Sequence, residues 1–522
     1  MRKKPFNISG RENHMNRREF LSRCAACTTG LAASPFLSLT SCKTSREEKK
    51  LKLRIIYSLH AVKQPGPDWP NVGFDFGPVM ERINTEFARN CPDCVFESSM
   101  AKEPEEAEKI LAEDETHGID GYVVYQLNCW NRVVQPIAAS GKPVLYVDFK
   151  YGGSGGFLVY TAQFLREKTS NLAFVASSSM EDQIDAVKCF RIVKKGGTAS
   201  DFVEAVKKSR TVRMPAAGDL TCLADEVKTL SIEECLKHMK GSRILAVRNQ
   251  ESGPADPIMG IPMERVSFSE INEAWKTADR AQASEVANHW QNSAADIIGV
   301  SRETLETSAA MYLGMKAVLK NHGANAITIN CLGGFYGGHI HAYPCLGFHE
   351  LNNEGLVGAC ECDVRSTATM TAVTALTRGR PGFISDPVLD TGKRQIIYAH
   401  CVASNKVFGT QGPANPFVIM THSEDRQGAS VRSLLPTGYL TTTLQIHPDH
   451  QEILLHQAKA VDNDPDDRAC RTKLCAEPIG DVEKLFTMWD VWGWHRVTFY
   501  GDLKEPVYAL AEAMNWKVVE EA

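Results

Sequence analysis

The sequence predicts an α/β chain of two parallel-sheet units followed by an α+β region rich in antiparallel strands. Strand-like apolar runs alternate with amphipathic helical segments from Leu51 to about residue 170, and again from Asn171 to Asn330. That rhythm marks βαβ units, which build parallel sheets. From Pro344 to Asp502 short strand-like runs are separated by Gly, Pro, Asn and Asp, the pattern of antiparallel strands and their turns. The boundaries read from this are a leader over 1–42, a linker over 43–50, α/β units over 51–170 and 171–343, and a C-terminal domain over 344–522.

The leader holds Asn16-Arg17-Arg18-Glu19-Phe20-Leu21-Ser22, then an uncharged, mildly apolar stretch from Cys24 to Ser41. Paired arginines ahead of such a stretch form a twin-arginine export signal, a route taken by proteins already folded. The stretch is too polar and too short for a spanning helix of about 20 residues. Leu39-Thr40-Ser41-Cys42 reads as a bacterial lipobox, in which Cys42 would be acylated and anchor the mature chain. The plain alternative is a cysteine near an ordinary cleavage site. The expected location is the periplasm or, with the anchor, a membrane surface.

Residues 1–41 carry seven Lys or Arg and two Asp or Glu, so losing them takes the formal charge from −5 to −10. Such a surface lacks the clustered cations that phosphates require, which excludes nucleic acid and leaves the lipid anchor as the expected membrane contact. The 481 residues that remain suffice for several cores. The sixteen cysteines are scattered, with one close pair in Cys91-Pro92-Asp93-Cys94. With no second pair to complete a zinc site, a local disulfide or buried thiols are expected.

In the first unit, strands are expected at Leu51 to Tyr57, Gly121 to Tyr125 and Pro143 to Asp148, with helices near Pro78 to Phe87 and Pro104 to Leu111. The glycines of Tyr151-Gly152-Gly153-Ser154-Gly155-Gly156 miss the dinucleotide-binding spacing and read as a flexible turn. In the second unit, strands are expected at Leu172 to Ala176, Ile244 to Arg248 and Ala326 to Asn330. Leu305, Ala309, Tyr312, Met315 and Leu319 recur at helical spacing after Ser301, and Gly323 is placed to end that helix. A closing helix is expected from Glu505 to Met514.

The chemistry gathers in the last third. Leu356 to Cys360 reads as a strand and Val364 to Leu376 as a helix, so Glu361 sits at a strand-to-helix junction, where side chains enter the cleft at a sheet edge. Gly382-Phe383-Ile384-Ser385 delivers Asp386 at a strand end, and Gln395 to Ala399 delivers His400 in the same way. Near the C-terminus, Trp492-Gly493-Trp494-His495 sets a histidine beside two indoles. Oxygen and imidazole donors from four segment ends suit a divalent metal such as Mn²⁺, without choosing among Mn²⁺, Zn²⁺ and Co²⁺. Taken singly, a Glu or His at a strand end is more often a cap or a solvated side chain. Asp363 reads as the N-cap of the following helix, and as the substitute donor should Glu361 not serve.

At these residues the chain resembles the L-fucose and L-arabinose isomerase family. The resemblance runs from about Cys345 to the C-terminus. It rests on Asn352-Asn353-Glu354-Gly355 before Ala359-Cys360-Glu361-Cys362-Asp363, on Phe383-Ile384-Ser385-Asp386 and on Ala399-His400-Cys401. Leu435-Pro436-Thr437-Gly438-Tyr439-Leu440-Thr441, Gly493-Trp494-His495 and Tyr500-Gly501-Asp502 follow in the family's order. It implies an L-fucose isomerase-like fold, with two Rossmann-like doubly wound domains before the C-terminal domain. It implies Mn²⁺ on Glu361, Asp386 and His495, with His400 a further ligand or a group behind them. It also implies aldose–ketose isomerisation through an enediol, with Glu361 and Asp386 moving the proton, and a homo-oligomer. The family often has Gly where this chain has Cys362, and export is unexpected for a sugar-catabolic enzyme.

His339 and His341 have the H-x-H spacing of some zinc hydrolases, but they follow a Gly-rich turn mid-chain and read as a loop that lines the pocket. Trp492 and Trp494 could stack on a sugar ring, although tryptophans in an apolar turn are more often core. The partner expected is a small sugar. Other metal-dependent chemistry on a sugar or sugar acid, and a sugar-binding lipoprotein without catalysis, are the alternative readings.

Overall fold

A computed structural model describes residues 50–522. The twin-arginine motif, the lipobox with Cys42 and all of the linker but Lys50 lie outside the described residues.

The first sheet has five parallel strands, in the order Cys94–Ala101, Leu51–Ser58, Gly121–Gln126, Val144–Asp148, Leu172–Val175. Its inner strands read as near-continuous apolar runs because both faces are covered, whereas the edge strand Cys94–Ala101 is polar and partly exposed. Leu53, Ile55, Tyr57, Val123 and Tyr125 pack on one side with Ile83, Phe87 and Val187, while Ile56, Tyr122 and Val124 pack on the other with Ala107, Ile110 and Phe157. Leu172–Val175, expected to open the second unit, instead closes this sheet beside Val144–Asp148. Strand pairing decides that membership, and a short apolar run carries no sign of its partner.

The glycine run is also not the flexible turn expected. Helix Ser154–Arg166 starts within it. A Cβ on Gly153 would stand 2.2 Å from the Gln126 carbonyl oxygen, and one on Gly155 would stand 2.7 Å from the Trp494 ring. Glycine is there for close approach.

The second sheet runs Val357–Cys360, Ala326–Ile329, Ile244–Arg248, Ile261–Ser267, Gly253–Ile258, parallel except for the last, which is antiparallel. Val357–Cys360, expected in the C-terminal domain, is therefore an edge of the middle sheet. Ser301 caps helix Arg302–Asn321 by accepting from Thr304 N, and Gly323 follows its end at φ 57°. Such a cap is worth about 1 kcal/mol over alanine.

The third sheet closes on itself. Leu440–His447 pairs on one side with Arg496–Tyr500 and on the other with Glu452–Asn463, and Phe383–Asp390, Gln395–His400 and Thr472–Ile479 complete an antiparallel barrel. Lys517–Glu520 joins Glu452–Asn463 in parallel. The fold is thus mixed α/β, with two parallel sheets and an antiparallel barrel. Among the described residues no helix is long and apolar enough to cross a membrane. Cys91 and Cys94 are buried free thiols, and burial pushes Cys94 up to about 12.

Candidate metal centre

Glu361 leaves the second sheet after Val357–Cys360. Both Glu361 and Cys362 are left-handed, at φ 63° and 52°, which turns the chain sharply from strand to helix. Left-handed backbone is where a non-glycine residue is strained, and such strain gathers at functional turns. Here the thiol is buried and held from behind: Arg248 Nε donates to its sulfur at 3.0 Å and Arg248 Nη2 to its carbonyl at 2.9 Å.

Asp363 caps helix Val364–Leu376, accepting from Arg365 N and Ser366 N at 2.9 and 3.0 Å. Its second oxygen takes a bond from Ser366 Oγ at 2.6 Å and one from His495 Nδ1 at 2.9 Å. The carboxylate that starts the helix therefore also orients a histidine 132 residues away.

The barrel rim supplies the other donors. Asp386 lies within strand Phe383–Asp390, not at a strand end as expected, because pairing with Gln395–His400 carries the strand on to Asp390. Register sets Asp386 across from Ala399 and Ser385 across from Arg496. His400 and His495, each one residue beyond those partners, flank Asp386 from both sides. His495 Nε2 is 3.1 Å from Asp386 Oδ1 and 3.4 Å from Glu361 Oε2, while His400 Nε2 is 3.7 Å from Glu361 Oε1 and 3.8 Å from Asp386 Oδ2. Each of the four residues offers one donor atom, and these atoms lie within 4.8 Å of one another.

Charge and burial agree with a cation site. Burial alone would raise Glu361, but the imidazoles of His495 and His400 outweigh it and hold the carboxyl at about 2. Burial would lower His495, but Asp386 and Glu361 outweigh it and raise the imidazole well above its ordinary value. Positive charge is thus favoured between the carboxylates. His400 Nε2 is buried with no hydrogen-bond partner, and a cation held among the donors would satisfy it. Two carboxylates and two imidazoles, one of them carrying that orphan nitrogen, make a donor set that fits a divalent cation.

The 493–496 stretch is braced from the core. Arg496 Nη1 donates to the Gly493 and His495 carbonyls, each at 2.9 Å, and Arg496 pairs with Glu521 at 2.7 Å. Glu521 also meets His456 Nδ1 at 2.7 Å, and His456 Nε2 meets the Tyr398 hydroxyl at 2.6 Å.

Four curated relatives share recognisable sequence with this chain, and no family model matches it. They are sulfoquinovose isomerases. The protein of Priestia aryabhattai is 21% identical over 263 residues, 49% of this chain and 57% of its own length. That of Clostridium sp. (strain MSTE9) is 22% identical over 264 residues, with the same coverage. That of Alkalicoccus urumqiensis is 21% identical over 242 residues. This chain thus spans a little over half the length of those it matches. A solved carbohydrate transporter from Acidothermus cellulolyticus 11B, in complex with myo-inositol, aligns with a TM-score of 0.16 at 12% identity, over 56% of this chain and 79% of its own.

The other residues singled out from sequence are not among the four donors. Trp492 is buried against His447. His339 stacks on Phe268, and His341 lies beside Trp275. Trp494 borders Asp386: its Nε1 donates to the Pro387 carbonyl at 2.8 Å, and its ring lies edge-on to Trp69 and Trp130 of the first unit. A second group, Glu97, Asp114 and His117, already holds the Arg54 guanidinium as its cation. Sequence reasoning missed the Arg496–Glu521–His456 brace, since charged residues that fold inward carry no local signal.

Proposed function

We propose that this chain is a divalent-metal-dependent carbohydrate isomerase that interconverts an aldose and a ketose through an enediol. The observation that carries this reading is the four-donor centre with the unpartnered His400 Nε2 aimed into it. The sulfoquinovose isomerase relatives support sugar isomerisation, although the match covers only part of each. A bound cation such as Mn²⁺ would polarise two neighbouring sugar oxygens and stabilise charge developing on them.

The chain's own residues supply the rest. In this reading Glu361, its carboxyl held low by His495 and His400, accepts the C2 proton, and it or Asp386 returns a proton at C1. Asp363 fixes the orientation of His495, and Trp494 gives the cleft beside Asp386 an apolar wall. Twin-arginine export and a lipid anchor on Cys42 complete the proposal and rest on the leader sequence.

The deciding experiment measures metal content of the purified mature protein and of a Glu361→Gln/Asp386→Asn variant, then screens aldoses for ketose formation with added Mn²⁺. Stoichiometric metal lost in the variant, together with turnover, supports the isomerase. Metal without turnover of any aldose sinks the isomerisation, and no metal in either protein sinks the centre.

A further inference from the structure

The strand beside His495 stops one residue short of it. Arg496 is the first residue of Arg496–Tyr500 to be paired into the barrel, opposite Ser385, and its carbonyl accepts from Ser385 Oγ at 3.2 Å. His495 precedes that pair, in a turn where Gly493 is left-handed at φ 77°. The sheet therefore fixes Arg496 and leaves His495 to other groups. Its ring is held by Asp363. Its carbonyl accepts from Arg496 Nη1 at 2.9 Å and from Gln445 Nε2 at 3.1 Å. The same Arg496 Nη1 donates to the Gly493 carbonyl at 2.9 Å, so one guanidinium nitrogen grips the turn at two points.

That guanidinium is itself placed from its far side. Arg496 and Glu521 are 0% and 1% exposed. Arg496 Nη2 donates to Glu521 Oε1 at 2.7 Å, and Nε lies 3.2 and 3.3 Å from the two carboxylate oxygens. The Trp489 ring lies against the guanidinium, its centre 4.1 Å away. Glu521 arrives on the strand Lys517–Glu520, which pairs with Glu452–Asn463, and its own N–H donates to the Leu455 carbonyl at 2.8 Å. A buried ion pair seldom adds stability over apolar residues of similar volume, because removing two charges from water costs about what their attraction returns. What a forked pair does add is direction: it allows the planar guanidinium one orientation. Here that orientation points Nη1 at the two carbonyls of the turn.

We propose that Glu521 is a positioning residue of the metal centre, acting through Arg496 on the backbone of His495. Asp363 turns the ring and Glu521 sets the backbone, and together they fix where His495 Nε2 lies relative to Asp386 and Glu361. The proposal rests on the metal-centre reading and assigns Glu521 no contact with cation or sugar.

The test titrates Mn²⁺ into the metal-stripped mature protein and its Glu521→Gln, Glu521→Asp and Tyr398→Phe variants, with the thermal midpoint of each metal-free protein measured alongside. Tyr398→Phe cuts the same buried network at its His456 end, away from the Arg496 fork. Glu521→Gln is expected to lose Mn²⁺ affinity by about tenfold or more. Glu521→Asp, which keeps the charge, should lose less, and Tyr398→Phe should stay within about twofold of the parent whatever its midpoint does. In a His495→Gln background, Glu521→Gln should change the residual affinity by less than about twofold, because the ligand through which it acts is gone. If Glu521→Gln does not fold, Glu521→Asp carries the same comparisons. Mn²⁺ affinity equal to the parent's in the Glu521 variants, or the same loss with and without His495, overturns the positioning role and leaves the centre standing. A parent that takes up no Mn²⁺ sinks the centre and this role with it.

Discussion

His495 and Asp363 are joined through Nδ1 and Oδ2 at 2.9 Å, which turns His495 Nε2 toward Asp386 and Glu361. A histidine oriented by a carboxylate in this way is the usual partner arrangement behind a metal ligand.

Removing that orientation should weaken metal binding before it weakens the fold. Asp363→Asn keeps a helix cap, so its thermal midpoint should stay near the parent's while metal affinity falls about 10- to 100-fold. Asp363→Ala should lose the same affinity and also about 1 kcal/mol of stability. Metal titration beside thermal denaturation separates the two effects, and unchanged affinity in both variants would remove Asp363 from the centre.

Cys362 tests the turn itself. Its φ of 52° costs a non-glycine residue about 1–2 kcal/mol, so Cys362→Gly recovers backbone strain while losing the buried thiol held by Arg248. The two nearly cancel: chemical denaturation should shift by no more than about 1 kcal/mol, with metal affinity kept. Cys362→Val, β-branched in left-handed backbone, should cost more than about 1 kcal/mol and lower metal affinity. A valine variant as stable and as tight as the parent would show that the turn is not strained.

The pH dependence of stability has a local source away from the centre. His322 lies between Glu264 and Glu270, 2.6 Å from each. Burial lowers its pKa, but hydrogen bonds to both carboxylates outweigh this and leave it raised. A raised folded-state value means the pairing stabilises fully below the unfolded value of about 6.5, and this is lost as pH rises through the folded value. His322→Gln should therefore lower stability at pH 5–6 and flatten its decline above neutrality. Parallel stability profiles for parent and variant would refute this.

The leader can be tested independently of the site. In cells fed a labelled fatty acid, the parent should carry label and Cys42→Ser should not. Equal absence of label from both would remove the lipid anchor.

Replacing Glu361 by Gln discriminates enzyme from binding protein. Turnover should disappear, because the proton acceptor is gone. A sugar affinity left intact alongside a parent that never turns over would place the protein among carriers.

Much of the site was legible in the linear order. The cap at Asp363, the helix Val364–Leu376 and the junction at Glu361 could be read because each depends on local spacing: an Asp before a helical run, or a strand followed by a charged residue. The sequence by itself determined the two βαβ rhythms and the junction that carries Glu361, and it singled out Glu361, Asp386, His400 and His495, which the structure brings within reach of one another. Only the tertiary structure decided that Leu172–Val175 closes the first sheet, that Val357–Cys360 edges the second, and that Leu440–His447 pairs on both sides to close the barrel. It alone tied the Glu424 loop to Val72 of the first unit and packed Gly155 beneath Trp494. The physical reason is range: capping, periodicity and turn chemistry act within a few residues. Strand partners and converging charges are chosen by burial across hundreds, where one apolar run or one carboxylate looks much like another until the chain has folded around it.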